Sequence, residues 1–254
     1  MNFAGKQVVV TGGANGIGQC IVKAFLNAGA DLAVIDIDKS AGDALQSQFN
    51  RLCFYHGDIA EKNTLEYFAG ALTRPVDILI NNACINRRGI LSGCSWEDFE
   101  YVQRVGVTAP YYLTSLLIKE NLLAPGASIV NIASTRAFQS QPDTESYSAV
   151  KGGVAALTHA MAVSLAGCAR VNSISPGWIE TTGFHGGAAS AGHSEPDSVQ
   201  HPAGRVGKPE DVASMALYLS SEQATFITGE NITIDGGMSR QMIYHGDLGW
   251  TLRG

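Results

Sequence analysis

A chain of 254 residues with 45% hydrophobic side chains is long enough to bury a full core, and strand and helix signals alternate through it without a linker or low-complexity stretch. The formal charge of −6 and the lack of a long basic run exclude nucleic acid or an anionic membrane as the main partner. No apolar run reaches membrane-spanning length, residues 1–7 are too short and polar for a signal sequence, and five cysteines without a Cys-x-x-Cys pair suit reduced thiols, so a cytoplasmic protein is expected.

The first element is a strand near 6–11, ending in the apolar run Val8-Val9-Val10 and followed by Thr11-Gly12-Gly13-Ala14-Asn15-Gly16-Ile17-Gly18 and a helix-period segment at 17–28. Strand, glycine turn and helix together form an anion cradle: glycine lets the backbone turn tightly and approach a ligand, and the helix N-terminus offers free N–H groups and a positive dipole to a pyrophosphate. A second strand near 31–36 ends in Asp36, eighteen residues after Gly18, about where a dinucleotide fold places the acid that holds a ribose diol. Further strands are predicted near 51–56, 76–81, 127–133, 169–175 and 230–235, with helices between them; this alternation implies a parallel sheet with helices on both faces.

Ser134 lies at the end of the run Ser128-Ile129-Val130-Asn131-Ile132-Ala133, where a strand's C-terminal end and hence a ligand edge are expected. Thirteen residues on, Tyr147-Ser148-Ala149-Val150-Lys151 places a phenol and an ammonium four apart, on one face of a helix. A tyrosine hydroxyl titrates near pH 10, and a fixed cation close by favours the phenolate, which makes general acid-base work possible at neutral pH.

The glycine turn, Asp36, Asn81-Asn82-Ala83, Ser134, Tyr147, Lys151 and Pro176-Gly177 resemble the short-chain dehydrogenase/reductase family in its single-domain, NAD(P)-dependent form, and the resemblance runs almost end to end. Asp58-Ile59, the stretch Arg205-Val206-Gly207-Lys208-Pro209-Glu210-Asp211, and Asp235-Gly236-Gly237 fall in the family's order as well. The resemblance implies an α/β fold: a doubly wound, seven-stranded Rossmann sheet in one domain over 1–254, with a substrate lid near 178–204 and a C-terminal tail at 238–254. It implies that Tyr147 exchanges a proton with the substrate oxygen, that Ser134 hydrogen-bonds that oxygen, and that Lys151 supports the tyrosine and holds the nicotinamide ribose. Gly12, Asn15, Gly16, Ile17 and Gly18 then take the pyrophosphate; Asp36 and Ile37 the adenosine ribose; Asp58 and Ile59 the adenine. Asn81 and Ala83 are expected on the adenosine ribose, and Pro176, Gly177, Ile179 and Thr181 on the nicotinamide.

The cofactor expected is NAD. Asp36 accepts from a ribose diol but repels a 2′-phosphate by about 1–4 kcal/mol at about 4 Å, and Ala14, Asn15 and Ile37 stand where NADP enzymes of the family usually carry Arg or Lys. No metal is expected: His185, His193 and His201 are irregularly spaced and read as solvated. Arg87, Arg88, Arg136, Gln141, Glu145 and Trp178 are placed to line or rim a pocket for a polar, hydroxylated small-molecule substrate. Small residues along 147–166 and the apolar helix at 109–120 suit close pairing of subunits, and the family commonly forms tetramers. Two residues depart from the family's pattern. Cys84 follows Asn81-Asn82-Ala83 where Gly is usual, and Gly106 stands where the family has a fourth catalytic residue, an Asn. Gly106 leaves open a second function class, a catalytically weak NAD-binding scaffold or sensor.

Overall fold

The computed structural model describes residues 1–184, 192–242, 244 and 246. Seven strands, β1 (Gln7–Thr11), β2 (Asp31–Asp36), β3 (Leu52–His56), β4 (Val76–Asn81), β5 (Leu123–Ile132), β6 (Ala169–Pro176) and β7 (Asn231–Ile234), form one parallel sheet in the order β3-β2-β1-β4-β5-β6-β7. The chain reverses its direction of travel across the sheet between β1 and β4, and the loops there part to leave a crevice at the carboxyl ends of the strands.

Both faces of the sheet are covered, which explains the unbroken apolar run of β1. Val8 and Val10 point into one core with Ile21 and Phe25 of α1 (Gly16–Asn27) and Val212 and Leu219 of α8 (Pro209–Ser220). Val9 points into the other, with Phe68 of α3 (Lys62–Ala71) and Leu113 and Leu117 of α5 (Ala109–Lys119). Strand side chains alternate between faces, so a strand buried on both sides has no polar position to offer. Phe25, Phe68, Leu113 and Leu117 are fully buried, each contributing about 1.5–3 kcal/mol by removal from water.

The remaining helices are α2 (Lys39–Gln46), α4 (Trp96–Gln103), α6 (Glu145–Ser164) and the short α7 (Glu195–Val199). Between α4 and α5 the chain makes a π-helical turn, Arg104–Thr108, with Gly106 at its centre. Of the expected lid, residues 178–184 and 192–204 are described, the latter containing α7, whereas 185–191, and with them His185, lie outside the described residues; so does most of the tail beyond Met242.

Candidate active site

The helix beginnings differ in a way that prepares the site. α2, α4 and α7 are capped by side chains, Asp38, Ser95 and Ser194, each accepting from a first-turn amide. α1 has no such cap. Its N-cap, Asn15, sends its Nδ2 to Asp38 Oδ2 at 2.9 Å instead, so the first-turn N–H groups of α1 face the crevice without a side-chain acceptor. Gly12 and Gly16 have φ of +65° and +54°. A Cβ on Gly12 would sit 2.7 Å from Ala83 Cα, and one on Gly18 would sit 2.0 Å from the Gly12 carbonyl oxygen. The turn is held from the side by Asn82, whose Nδ2 donates to the carbonyls of Thr11 and Gly12 at 3.2 and 2.7 Å.

Asp36, at the end of β2, accepts from the Ala14 amide through Oδ2 at 2.9 Å and from the Asp38 amide through Oδ1 at 3.0 Å. These bonds aim the carboxylate along the glycine turn. A cavity of about 510 Å³ opens here, lined by Gly12, Asn15, Gly16, Ile17, Gly18, Asp36, Ile37, Asp58, Ile59, Ala83, Ser134, Tyr147, Lys151, Pro176, Gly177, Ile179 and Thr181. Every residue expected at the cofactor except Asn81 lines it, together with Ser134 and Tyr147. Lys151 is the one cation among its described lining residues.

Asn81 is not part of that wall. Its side chain is buried, and Nδ2 donates to Asn131 Oδ1 of β5 at 2.8 Å; Asn131 in turn donates to Thr158 Oγ1 at 2.9 Å. Strand parity turns Asn81 towards α6, and Asn82 takes the place at the crevice. Tyr101 of α4 also lines the cavity, which no motif in the sequence signals. Its hydroxyl donates to Asp58 Oδ2 at 2.8 Å, and burial followed by that hydrogen bond pushes its pKa up to about 12. Cys84 lines the same cavity and donates weakly to the Ile85 carbonyl at 3.7 Å.

Ser134 follows β5 and opens a single 3-10 turn, accepting from the Arg136 amide at 3.2 Å. Its O–H proton stays available to donate. Tyr147 and Lys151 lie one helical turn apart on α6, with Nζ 5.5 Å from the tyrosine ring centroid. Lys151 is only 3% exposed, and its ammonium donates to the Ile132 carbonyl at 2.7 Å. A buried ammonium needs such a partner, and this one holds Nζ at the end of β5 beside the tyrosine.

A second cavity, about 750 Å³, adjoins the first and shares Ser134, Tyr147 and Gly177 with it. Its other walls are Asn86, Thr135, Arg136, Gln139, Ser140, Gln141, Thr144, Trp178, Gln200, Asp235 and Met238. Three of the six expected rim residues are here: Arg136, Gln141 and Trp178. The other three are placed elsewhere. Arg87 pairs with Asp98 at 3.2 Å and stacks on Tyr101, Glu145 accepts from the Ile90 amide at 2.9 Å, and Arg88 is exposed. His201, expected in solvent, is instead buried, with Nδ1 against the Asp197 carbonyl at 2.9 Å. His193 sits 3.5 Å from Glu180. Among the described residues no three His, Cys, Asp or Glu converge on a metal position.

Gly106 is not among the glycines with positive φ, yet a Cβ there would meet Val150 Cγ2 at 2.3 Å. Close packing of α6 on the π turn, rather than an unusual φ, is what requires glycine.

A doubly wound parallel sheet with an uncapped glycine turn at its switch point, and Ser, Tyr and Lys on the neighbouring wall, defines a dinucleotide-dependent oxidoreductase class. A family model described as enoyl-(acyl carrier protein) reductase matches residues 12–239. The chain is 42% identical to an uncharacterised oxidoreductase of Thermotoga maritima, over 94% of this chain and 98% of that one. Among solved structures it resembles an apo SCOR enzyme from Clostridium thermocellum, with TM-score 0.87, 43% identity and coverage of 98% and 99%. It also resembles a 3-ketoacyl-(acyl-carrier-protein) reductase from Brucella melitensis complexed with NADH, with TM-score 0.82, 30% identity and coverage of 94% and 100%. The chain belongs to the short-chain dehydrogenase/reductase family, whose members are oxidoreductases that use nicotinamide dinucleotides.

Proposed function

We propose that this protein is an NAD-dependent oxidoreductase that interconverts a secondary alcohol and a ketone on a polar substrate. The observation that carries the reading is the shared wall: Ser134 and Tyr147 belong to both cavities, so a cofactor in one and a substrate in the other meet at these two hydroxyls. NAD, when bound, supplies the hydride acceptor or donor. The turn that Gly12, Gly16 and Gly18 permit lines the first cavity and takes its pyrophosphate against the open amides of α1, and Asp36 receives the ribose diol. With Asp38 nearby and no cation among the described lining residues at that end of the cavity, a 2′-phosphate finds repulsion without compensation there, which supports NAD over NADP.

Tyr147 takes the hydroxyl proton of an alcohol or returns it to a ketone. The Lys151 ammonium stabilises the negative charge that develops on the phenol oxygen, and the Ser134 hydroxyl donates to the substrate oxygen, a preorganised contact worth about 3 kcal/mol of barrier. The scaffold alternative rests on Gly106, but the π turn forms without an asparagine there, Ser134 and Tyr147 belong to both cavities, and Lys151 lines the first of them. Tyr147→Phe removes one hydroxyl and little volume. It should keep NADH binding and lose at least about a hundredfold in kcat; near-normal turnover would remove Tyr147 from the chemistry.

The same reading includes a cytoplasmic homo-oligomer, a tetramer or dimer. Exposed Tyr111 and Ile118 on α5 and Val163 on α6 support pairing through those helices, and no helix among the described residues is long and apolar enough to cross a membrane.

A further inference from the structure

Among the described residues that line the second cavity, Arg136 is the one cation. The guanidinium is half-buried, two residues from Ser134, and is held by neutral acceptors: Nη1 donates to Thr144 Oγ1 at 3.3 Å and Nη2 to Gln141 Oε1. Among the described residues no carboxylate lies within ion-pair distance of it. The one acid in the same wall, Asp235, is engaged elsewhere, its two oxygens accepting from the Gly237 and Ser239 amides at 2.9 and 2.7 Å. Thr144 and Gln141 therefore orient the planar fork and leave most of its five N–H donors unassigned.

A half-buried guanidinium held only by neutral acceptors keeps its charge and free N–H donors available to an anionic group of a ligand. We propose, resting on the oxidoreductase reading above, that Arg136 receives a carboxylate of the substrate, so that the protein acts on a hydroxylated carboxylic acid rather than on a neutral polyol. A planar carboxylate matches the guanidinium fork in a bidentate contact. One arginine balances one negative charge, whereas a phosphate monoester carries about −1.5 to −2 and would face Asp235 across the cavity. Gln139, Ser140, Gln200 and Asn86 line the remaining wall and supply donors and acceptors for further hydroxyls. The reaction balances as hydroxy acid plus NAD⁺ giving oxo acid, NADH and a proton: the carbinol carbon loses hydride to the nicotinamide, and the hydroxyl proton passes to Tyr147 and on to solvent.

The test compares steady-state kinetics of the whole protein with NAD⁺ on short polyols, the matching aldonates and the matching polyol phosphates, alongside R136Q and R136K. Wild type should favour aldonates over polyols by roughly thirtyfold in kcat/KM, and R136Q should erase that preference through KM, since a charge-assisted bidentate contact is lost. R136K keeps the charge but loses the fork and should fall between them, and it serves as the test variant if R136Q fails to bind NADH as wild type does. Equal wild-type use of polyols and aldonates, a preference for the phosphates, or equal losses on acid and neutral substrates in the variants each overturns the carboxylate assignment and leaves the oxidoreductase reading standing. Wild type that binds NADH but turns over none of these, nor ketones and alcohols outside the panel, overturns that reading and this inference with it.

Discussion

The two cavities that meet at Tyr147 are built from different material. Around the cofactor cavity the critical surfaces are backbone: the Gly12 carbonyl 2.0 Å from where a Gly18 Cβ would be, the Ala83 main chain 2.7 Å from a Gly12 Cβ, and amides of Ala14 and Asp38 gripping Asp36. Around the second cavity, where the proposed substrate sits, the surfaces are long side chains, Arg136, Gln139, Gln141, Gln200 and Met238, from segments that follow β5, β6 and β7. A backbone-walled cavity tolerates almost no change and accepts one ligand shape. A side-chain-walled cavity can be re-lined without disturbing the sheet, which is how a family keeps its cofactor and varies its substrate.

The sharpest way to break that contrast is Gly18→Ala. The added methyl meets a carbonyl oxygen at 2.0 Å and the Asn82 amide at 2.5 Å, and neither can retreat without opening the glycine turn. NADH affinity should fall at least about a hundredfold, roughly 2.7 kcal/mol, with a stability loss of about 1–3 kcal/mol. Fluorescence titration and thermal melting read both. Wild-type affinity in this variant would mean that the turn is more pliable than its packing implies. Substitutions of similar size at Gln139 or Gln200 should leave NADH binding within about twofold.

Next in size is Gly106→Asn. Because Val150 Cγ2 occupies the place of the Cβ, the variant should lose about 1–3 kcal/mol of stability and gain nothing in kcat. Gly106→Ala should suffer in the same direction, since the conflict begins at the first carbon. Adding Val150→Ala should return part of the loss, a coupling that a double-mutant cycle would expose. A higher Tm together with a higher kcat in Gly106→Asn would reverse this account and revive the idea of a weakened natural enzyme.

The same contrast governs what could be read without coordinates. The inner strands are legible because a strand buried on both faces is largely apolar, the half-buried edge strands β3 and β7 by their β-type runs and place in the alternation, and the glycine turn because only glycine tolerates its φ values and close approaches. β5 is the exception in length. It begins at Leu123, ahead of Pro125 and a Gly126 with φ of +74°, residues that look like a turn yet follow a pairing of Leu123 with Val76 across an irregularity in the ladder. What stays hidden depends on packing between distant elements. Asn81 and Asn82 look equivalent in the chain, and only their parity against β5 decides which faces the crevice. Tyr101 reaches Asp58 from a helix that carries no motif, the need for Gly106 is set by Val150, and His201 is buried although its surroundings read as a solvated loop.

A smaller effect is expected at Asp36. Wild type should prefer NAD over NADP by at least about tenfold in kcat/KM, about 1.4 kcal/mol, and Asp36→Ala should narrow the ratio by most of that. Because the same carboxylate holds the Ala14 and Asp38 amides, the variant should bind both cofactors less tightly. The ratio, not either affinity alone, is the diagnostic. Equal use of the two cofactors by wild type would contradict the role given to Asp36.

The smallest effect should come from the joint between the two regions. Arg205, in the segment that leads away from the substrate cavity, grips Asp211 at the start of α8 through Nη1 and Nη2, both at 2.7 Å, and Asp211 Oδ2 also accepts from the Lys208 amide at 2.8 Å. The Arg205 hydrogen bond holds the Asp211 carboxyl below the usual aspartate range. A carboxyl whose folded pKa is depressed contributes stability above its unfolded pKa and loses it as pH falls through the folded value. Asp211→Asn keeps one acceptor and loses the charge, so at neutral pH it should cost about 1 kcal/mol, a value already discounted for the half-exposed arginine. Melting curves of wild type and variant should converge as pH drops below the aspartate range. NADH affinity should stay within about twofold, because α8 meets α1 through a shared apolar core that the variant leaves in place. A pH-independent gap would show that the loss comes from the cap geometry rather than the charge, and a large drop in NADH affinity would mean that the two regions are coupled far more tightly than their different walls suggest.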